Sequence, residues 1–254
     1  MPYAAPFYVG SEIYRKPAFG FNHPLNIVRH AAVIDLLNML GWLDEQHFRE
    51  SQPATVDQLL EFHSRAYVRA LQYANATGKV EPDVRERYQV GTMENPLFPG
   101  LFERASMTVG GSILSAELAS QGHVVFHPSG GTHHGRADRA SGFCYFNDPV
   151  FAVLTFLAHG VERVLYVDLD AHHGDGVQDA FADDMRKIKI HLAGGFVQNI
   201  LQLQVDPMGQ LTGVVENRNI VIGKGIGTFG RVDVMGVGFS GPPESDKLCP
   251  DGLI

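Results

Sequence analysis

The chain has 254 residues, which is long enough for one large α/β domain with a sizeable core. Hydrophobic residues make up 44% and charged residues 19% of it, a balance typical of a globular enzyme and unlike that of a disordered chain. A formal net charge of −8 and the absence of any Lys/Arg run argue against nucleic-acid binding, which needs clustered cations, and suit a basic substrate better.

The cysteine content and the N-terminal sequence bear on where the protein works. Cys144 and Cys249 are the two cysteines and lie far apart, so neither a disulfide framework nor a thiolate zinc site is predicted. The N-terminus lacks the basic start and apolar core of a signal peptide, and no apolar run approaches the about 18 residues of a membrane span. We therefore expect a cytoplasmic protein that is neither exported nor embedded in a membrane.

The first half of the chain predicts one strand followed by helices. In chain order the predicted elements are a strand at 4–10 and helices at 26–43, 55–63, 65–75 and 102–120. The polar, glycine-containing stretch that runs to about residue 90 is predicted to be a surface loop. Prolines then precede the last of these helices, whose many small residues predict that it is buried.

From residue 123 the pattern alternates between strand and helix. The predicted elements are strands at 123–126 and 163–170 and helices at 149–159 and 175–181. Apolar strands flanked by helices are typical of a parallel sheet covered on both faces, and ligands bind such sheets beyond the carboxyl ends of the strands. The polar segments HPSGGTHHG (127–135) and DLDAHHGD (168–175) both follow predicted strands. We therefore expect them to meet at one edge of the sheet.

The alternation is lost after about residue 186, where short β-prone segments are broken by Gly and Asn and no clear helix is predicted. We therefore divide the chain into residues 1–185 and a tail, 186–254, that is the remainder of the same domain.

The end of the strand at 163–170 has the composition of a metal site. Asp168, Asp170 and His172 alternate along the strand, so their side chains can project to one side. Two carboxylates this close need a cation or a proton between them. A set of nitrogen and oxygen ligands without thiolate fits zinc or iron(II) in an open catalytic site, with Asp170 and His172 as the ligands.

His133 and His134 are adjacent and lie in a glycine-rich setting. We interpret them as proton carriers beside the metal-bound water, oriented through their other ring nitrogens by Asp168 and Asp175. Other interpretations are open, since a His-His pair is by itself a weak motif and Asp175 could simply cap the following helix. Cys144 has no base beside it in the sequence, so a small buried role is favoured over that of a nucleophile.

These residues lie in segments that resemble the zinc-dependent histone deacetylase superfamily, and most of all its bacterial acetoin-utilisation-type members. Four segments carry the resemblance, in the family's order: HPLNIVRH (23–30), ENPLFPGLFERA (94–105), GGTHHGRADRASGFCYFND (130–148) and VLYVDLDAHHGDGVQDAF (164–181). Together they cover roughly the first 185 residues. The part of the chain before 186 is accordingly predicted to be a deacetylase-like domain.

The resemblance implies an arginase/deacetylase-like three-layer α/β fold with a central parallel sheet. It also implies hydrolysis of N-acetyl amides, on protein lysine or on an acetylated small amine such as a polyamine. A potassium ion held largely by backbone carbonyls near Asp168 is implied as a structural cofactor. The roles carried over by position are zinc ligation by Asp170 and His172, catalysis by His133 and His134 with support from Asp168 and Asp175, and lining of the substrate channel by Phe143.

The sequence departs from the family downstream of these segments. The family has a third zinc ligand, an aspartate after a later strand, and an oxyanion-binding tyrosine in a Gly-rich loop. The last tyrosine in this chain is Tyr166, inside a predicted strand. The segment VDVMGVGFSG (232–241) would put Ser240 in the place of the aspartate, whereas the spacing D-x-L-x-x-D-x-L from residue 246 nominates Asp246. The C-terminal part is therefore predicted to be truncated or diverged.

Three functions are compatible with this pattern. The first is a zinc-dependent deacetylase, impaired to the extent that the missing groups are not replaced. The second is an inactive acetyl-lysine-binding module or truncated remnant. The third, an arginase-like ureohydrolase with two manganese ions, fits less well because it needs further acidic ligands around the site.

Overall fold

A computed structural model describes residues 6–16, 18, 29–168, 170 and 172–182, and the backbone of three later strands at 187–191, 219–223 and 226–229. The strands are β1 (Phe7–Gly10), β2 (Phe48–Glu50), β3 (Val125–His127), β4 (Val164–Asp168), β5 (Lys187–His191), β6 (Asn219–Gly223) and β7 (Ile226–Phe229). The helices are a 3-10 turn (Glu12–Arg15), α1 (Arg29–Met39), α2 (Val56–Leu59), α3 (Arg65–Thr77), α4 (Pro82–Tyr88), α5 (Leu101–Ser120), α6 (Asp148–Ala158) and α7 (Asp175–Ala180).

The described strands form one sheet in the order β2-β1-β3-β7-β6-β4-β5. Parallel pairing joins β1 to β2 and β3, and β4 to β5 and β6, whereas β7 is antiparallel to both of its neighbours. Only residues 224 and 225 separate β6 from β7, too few for the crossover that a parallel pair requires. The predicted parallel sheet is therefore confirmed for six of these strands, and β7 is the exception.

The predicted helices are present with modest shifts in their ends, and three elements were not predicted, namely the 3-10 turn, β2 and α4. The helix predicted at 26–43 is seen as α1 and ends at Met39, before a turn in which Gly41 has a positive φ. The predicted loop before residue 90 contains α4, which begins at Pro82 with Asp83 in its first turn. These are ordinary helix-start signals, but α4 lacks the apolar stripe on which the prediction relied. The short strand β2 was also missed. Among the described helices, none is long and apolar enough to cross a bilayer.

Two glycines of helix α5 allow it to pack closely against the segment after β2 and against the end of β3. A Cβ on Gly110 would lie 1.8 Å from the main-chain oxygen of Gln52, and a Cβ on Gly111 would lie 2.4 Å from the ring of His127. His127 is the buried last residue of β3, and its ring nitrogens lie 3.2 Å from the main-chain oxygens of Val9 and Thr108. Close contact at these glycines therefore fixes the end of β3, from which the loop bearing His133 departs.

Replacing Gly110 with alanine should destabilise the fold by about 3 kcal/mol, because the new methyl group meets backbone that cannot move aside. In an open helix the same change would stabilise by about 1 kcal/mol, so the expected sign is opposite to that of helix propensity. Urea unfolding followed by circular dichroism measures the difference. Glu117→Ala on the same helix is the matched control. Equal midpoints for the two variants would contradict the close contact.

Candidate functional site

The two polar segments meet at the carboxyl ends of β3 and β4. His133, in the loop after β3, has Nδ1 2.7 Å from Oδ2 of Asp168, the last residue of β4. His134 has Nδ1 2.7 Å from Oδ1 of Asp175, the first residue of α7. The two imidazole centroids are 4.2 Å apart. The predicted pairing of each histidine with its carboxylate is therefore present, while the catalytic roles of these residues remain predictions.

The His133–Asp168 pair is buried, since both residues are at most 1% exposed. Tyr166 donates its hydroxyl hydrogen bond to Oδ2 of Asp168 at 2.7 Å, and the Asp170 N–H donates to Oδ1 at 3.0 Å. Burial acts to raise the pKa of Asp168, but the hydrogen bond and charge of His133, with the Tyr166 bond, outweigh it and hold that pKa below its usual value. An ionised carboxylate only accepts hydrogen bonds, so Nδ1 of His133 carries a proton.

Tyr166 is a residue of this site that the sequence analysis missed. Its position two residues before Asp168 puts both side chains on the same face of β4, which is the signal that could have identified it. Burial, together with the neighbouring carboxylate of Asp168, raises the pKa of Tyr166 far above its ordinary value. The phenol therefore stays protonated and acts as a donor to Asp168.

The His134–Asp175 pair is more open, with side-chain exposures of 19% and 37%. Burial acts to raise the pKa of Asp175, but the hydrogen bond from His134 and the charge of Arg136 outweigh it, so the pKa lies below the usual value. The interpretation of Asp175 as a helix cap is wrong, because the cap residue of α7 is Gly174 and no side-chain capping bond is made there. The carboxylate instead faces His134.

Asp170 and His172 lie side by side at this edge. Nδ1 of His172 is 2.9 Å from Oδ1 of Asp170, and Nε2 of His133 is 4.0 Å from the same oxygen. One carboxylate oxygen and one imidazole nitrogen are donors of the kind that zinc prefers, so the two residues fit as part of an open zinc site. Within the described ranges no group of three potential ligands is formed. Asp246, the nominated third ligand, and Ser240, which would stand in the place of the family's aspartate, both lie outside the described residues.

Phe143 lies at the rim of the site, 40% exposed and with φ +64°. The N–H of Gly142 donates to Oε1 of Glu94 at 2.8 Å, and the N–H of Phe143 donates to Oδ1 of Asn95 at 2.9 Å. A Cβ on Gly142 would lie 2.4 Å from the His134 ring, so glycine is required for this close approach. The segments 94–105 and 130–148 are thus in contact beside His134, and the channel-lining role of Phe143 remains a prediction.

Cys144, next in the chain, is 7% exposed, and its thiol donates to the main-chain oxygen of Gly142 at 3.3 Å. The expectation of a small buried residue at this position is confirmed.

Asp148 holds the glycine-rich loop and was also missed. Its fully buried carboxylate accepts from the N–H groups of Gly131 and Thr132, at 3.1 and 2.7 Å, and from the hydroxyl of Ser112 on α5 at 2.5 Å. Such donors offset the cost of removing the carboxylate from water. The Asn-Asp pair before an apolar helix is a local signal for a helix start, but it carries no indication of these distant partners.

Asn147 connects the site to a buried histidine below it. Its side-chain amide donates to the main-chain oxygens of His133 and Gly135, at 3.3 and 2.8 Å. Its backbone N–H donates to Nε2 of His63 at 3.2 Å. His63 is 2% exposed, and burial lowers its pKa to about 4. The neutral ring therefore supports the segment that carries the histidine pair.

This burial predicts a loss of stability in acid. The pKa of His63 is about 6.5 in the unfolded chain and about 4 in the folded protein, so the unfolded chain binds the proton more tightly. The contribution of neutral His63 to the free energy of unfolding is therefore complete above pH 6.5 and is lost as the pH falls from 6.5 to 4. From pH 7 to pH 5 the loss should be about 2 kcal/mol. Urea unfolding at both pH values measures it. His63→Gln should remove this part of the pH dependence. If the free energy of unfolding of the variant fell with pH as steeply as that of wild type, the prediction would be contradicted.

Residues 23–196 match the family described as histone deacetylase domain. The chain is 36% identical over 194 residues to the acetoin utilization protein AcuC of Bacillus subtilis (strain 168), covering 75% of this chain and 50% of that protein. It is 36% identical over 213 residues to histone deacetylase B of Dictyostelium discoideum, covering 82% and 50%. The chain thus spans about half the length of these relatives.

Solved structures give the same result. The crystal structure of an HDAC homolog from Aquifex aeolicus superposes with a TM-score of 0.72 at 32% identity, covering 87% of this chain and 57% of that one. The crystal structure of an HDAC homolog complexed with SAHA matches with the same values. The predicted arginase/deacetylase-like fold with a central parallel sheet is therefore confirmed.

Proposed function

The chain belongs to the histone deacetylase family, and on that premise we propose that it hydrolyses N-acetyl amides with the help of a bound zinc ion. The substrate we propose is acetyl-lysine in a protein or an acetylated small amine such as a polyamine. Both leave a basic product, which suits a chain of net charge −8. We propose a cytoplasmic location for this activity.

One observation carries the proposal, namely that two His–Asp pairs converge beside Asp170 and His172. The two imidazoles are 4.2 Å apart, and the His134 and His172 rings are 6.1 Å apart. A pair of oriented imidazoles next to carboxylate and imidazole donors is suited to activating water and handling its proton. Neither a surface histidine pair nor a simple helix cap accounts for two such carboxylate contacts.

The side chains then divide the chemistry between them. Asp170 and His172 would hold the zinc ion, which when bound supplies Lewis acidity toward the amide carbonyl and toward water. His134 has Nδ1 turned toward Asp175, so its Nε2 is the atom that takes a proton from the attacking water. That proton is then available to the leaving amine nitrogen. His133, held by Asp168, is the second proton carrier.

Two further parts of the proposal concern the binding of a lysine-like substrate and the integrity of the site. Phe143 is exposed at the rim beside His134, and we propose that it contacts the aliphatic stem of the acetylated side chain. We also propose that a potassium ion binds near Asp168 as a structural ion. The boundary between a domain at 1–185 and a tail at 186–254 remains part of this proposal.

The test is turnover of a fluorogenic acetyl-lysine peptide by zinc-loaded protein, with metal content measured on the same sample. Asp170→Ala, prepared in parallel, excludes a contaminating hydrolase. Zinc- and Asp170-dependent conversion of the peptide to acetate and the deacetylated lysine peptide is the expected result. Turnover that persists in the variant, or no turnover by a folded, zinc-containing protein, would refute the proposal.

The same preparation distinguishes the alternatives. Acetyl-lysine peptide that binds without turnover indicates the inactive binding module. Manganese-dependent release of urea from a guanidino substrate indicates the ureohydrolase.

A further inference from the structure

The two oxygens of Asp175 have different partners. Oδ1 faces Nδ1 of His134 at 2.7 Å and accepts from the Gly176 N–H at 2.8 Å. Oδ2 accepts from Nη2 of Arg136 at 2.5 Å. Nη1 of Arg136 also contacts the carboxylate of Asp179, one turn further along α7. The guanidinium therefore links the loop after β3 to two carboxylates of α7.

The two His–Asp pairs differ in what restrains the carboxylate. Asp168 is fully buried, and Tyr166 and the Asp170 N–H occupy its oxygens. The side chain of Asp175 is 37% exposed, so without a partner for Oδ2 it could rotate about its terminal torsion and exchange partners with water. Arg136, whose side chain is only 18% exposed, provides that partner.

We propose that Arg136 is a positioning residue for the His134–Asp175 pair. By holding Oδ2, the guanidinium directs Oδ1 toward Nδ1 of His134, so Nδ1 carries the proton of the neutral ring and Nε2 is left as the acceptor. A planar guanidinium suits this task because it donates to both carboxylates at once in a fixed geometry. The catalytic consequence of this tautomer rests on the proposed function, but the tautomer itself does not.

A purely structural link between the loop and α7 would change stability and leave the ring of His134 as it is. If Arg136 positions the carboxylate of Asp175, in contrast, its removal should change the tautomer of His134. The two tautomers have different imidazole ¹⁵N chemical shifts, so labelled histidine reports the distribution directly in the folded protein without substrate. His134→Ala identifies the resonances.

The experiment compares wild type with Arg136→Met and Arg136→Lys, and with Arg139→Met as the matched control in the same loop. Arg139 pairs with its neighbour Asp138, and its side chain is 46% exposed. In Arg136→Met we expect the His134 resonances to move toward a mixture of tautomers. We also expect kcat for the acetyl-lysine peptide to fall about tenfold with little change in KM. Arg136→Lys should recover part of the wild-type tautomer distribution and part of the lost kcat, and Arg139→Met should match wild type in both measurements.

Wild-type ¹⁵N shifts in folded Arg136→Met would overturn the inference. If that variant does not fold, Asp179→Asn serves in its place, because it removes the second anchor of the guanidinium and keeps Arg136. It should shift the His134 resonances in the same direction by a smaller amount, and unchanged resonances would again overturn the inference. Absence of turnover in the wild type would count against the proposed function alone, since the tautomer is measured independently.

Discussion

Asp168→Asn should lower kcat for an acetyl-lysine peptide by about 10⁴-fold, the loss seen when the carboxylate of a His–Asp pair in serine proteases becomes an amide and favours the wrong tautomer. Asp168 accepts hydrogen bonds from His133, Tyr166 and the Asp170 N–H in a fully buried position. Asparagine has one acceptor oxygen and an NH₂ group that is itself a donor. At least one of the present donors would then face another donor.

The same substitution should lower the free energy of unfolding by about 3 kcal/mol, because one partner of a buried pair is lost. Tyr166→Phe is the graded comparison. It removes one of the three donors and leaves the carboxylate, so its cost should be about 1 kcal/mol with a much smaller loss of activity. Urea unfolding and steady-state kinetics on the three proteins separate these effects. Similar kinetics for Asp168→Asn and Tyr166→Phe would show that the carboxylate does not orient His133.

His134→Ala should lower kcat/KM by about 10³-fold, within the range of about 10² to 10⁴ that a positioned acid–base group contributes. The ring is half-buried at the rim, so alanine removes the proton acceptor without leaving a cavity in the core. Asp175 keeps its contact with Arg136. The fold should therefore be retained, and the measurement is turnover at saturating and limiting peptide.

His159→Ala is the control for this substitution, because His159 is an exposed histidine at the end of α6, away from the site. Its turnover should match wild type. If His134→Ala kept more than about a tenth of the wild-type kcat/KM, proton transfer would have to be assigned to another group.

Local sequence patterns determined much of the fold and of the candidate site. Apolar periodicity located α3, α5, α6 and β4 to within a few residues, because each of these elements must bury one face or both. The alternation within Asp168–His172 and the position of the segment after a strand were enough to predict a site at the carboxyl end of β4. The pairing of His133 with Asp168 and of His134 with Asp175 was predicted in the same way.

Only the tertiary structure decided how these carboxylates are restrained. The partner of Tyr166 is only 2 residues away in the sequence. The partners of Asp148 are 16 to 36 residues away, and those of Arg136 are 39 to 43 residues away. Loop geometry brings the longer-range partners together, and no periodic pattern records loop geometry. The direction of β7 depended likewise on strand pairing across the sheet. The sequence thus determined the residue types and spacing of the candidate site, because these are local. Packing determined which donors hold the side chains in place, because hydrogen bonds between loops depend on distances that exist only in the folded chain.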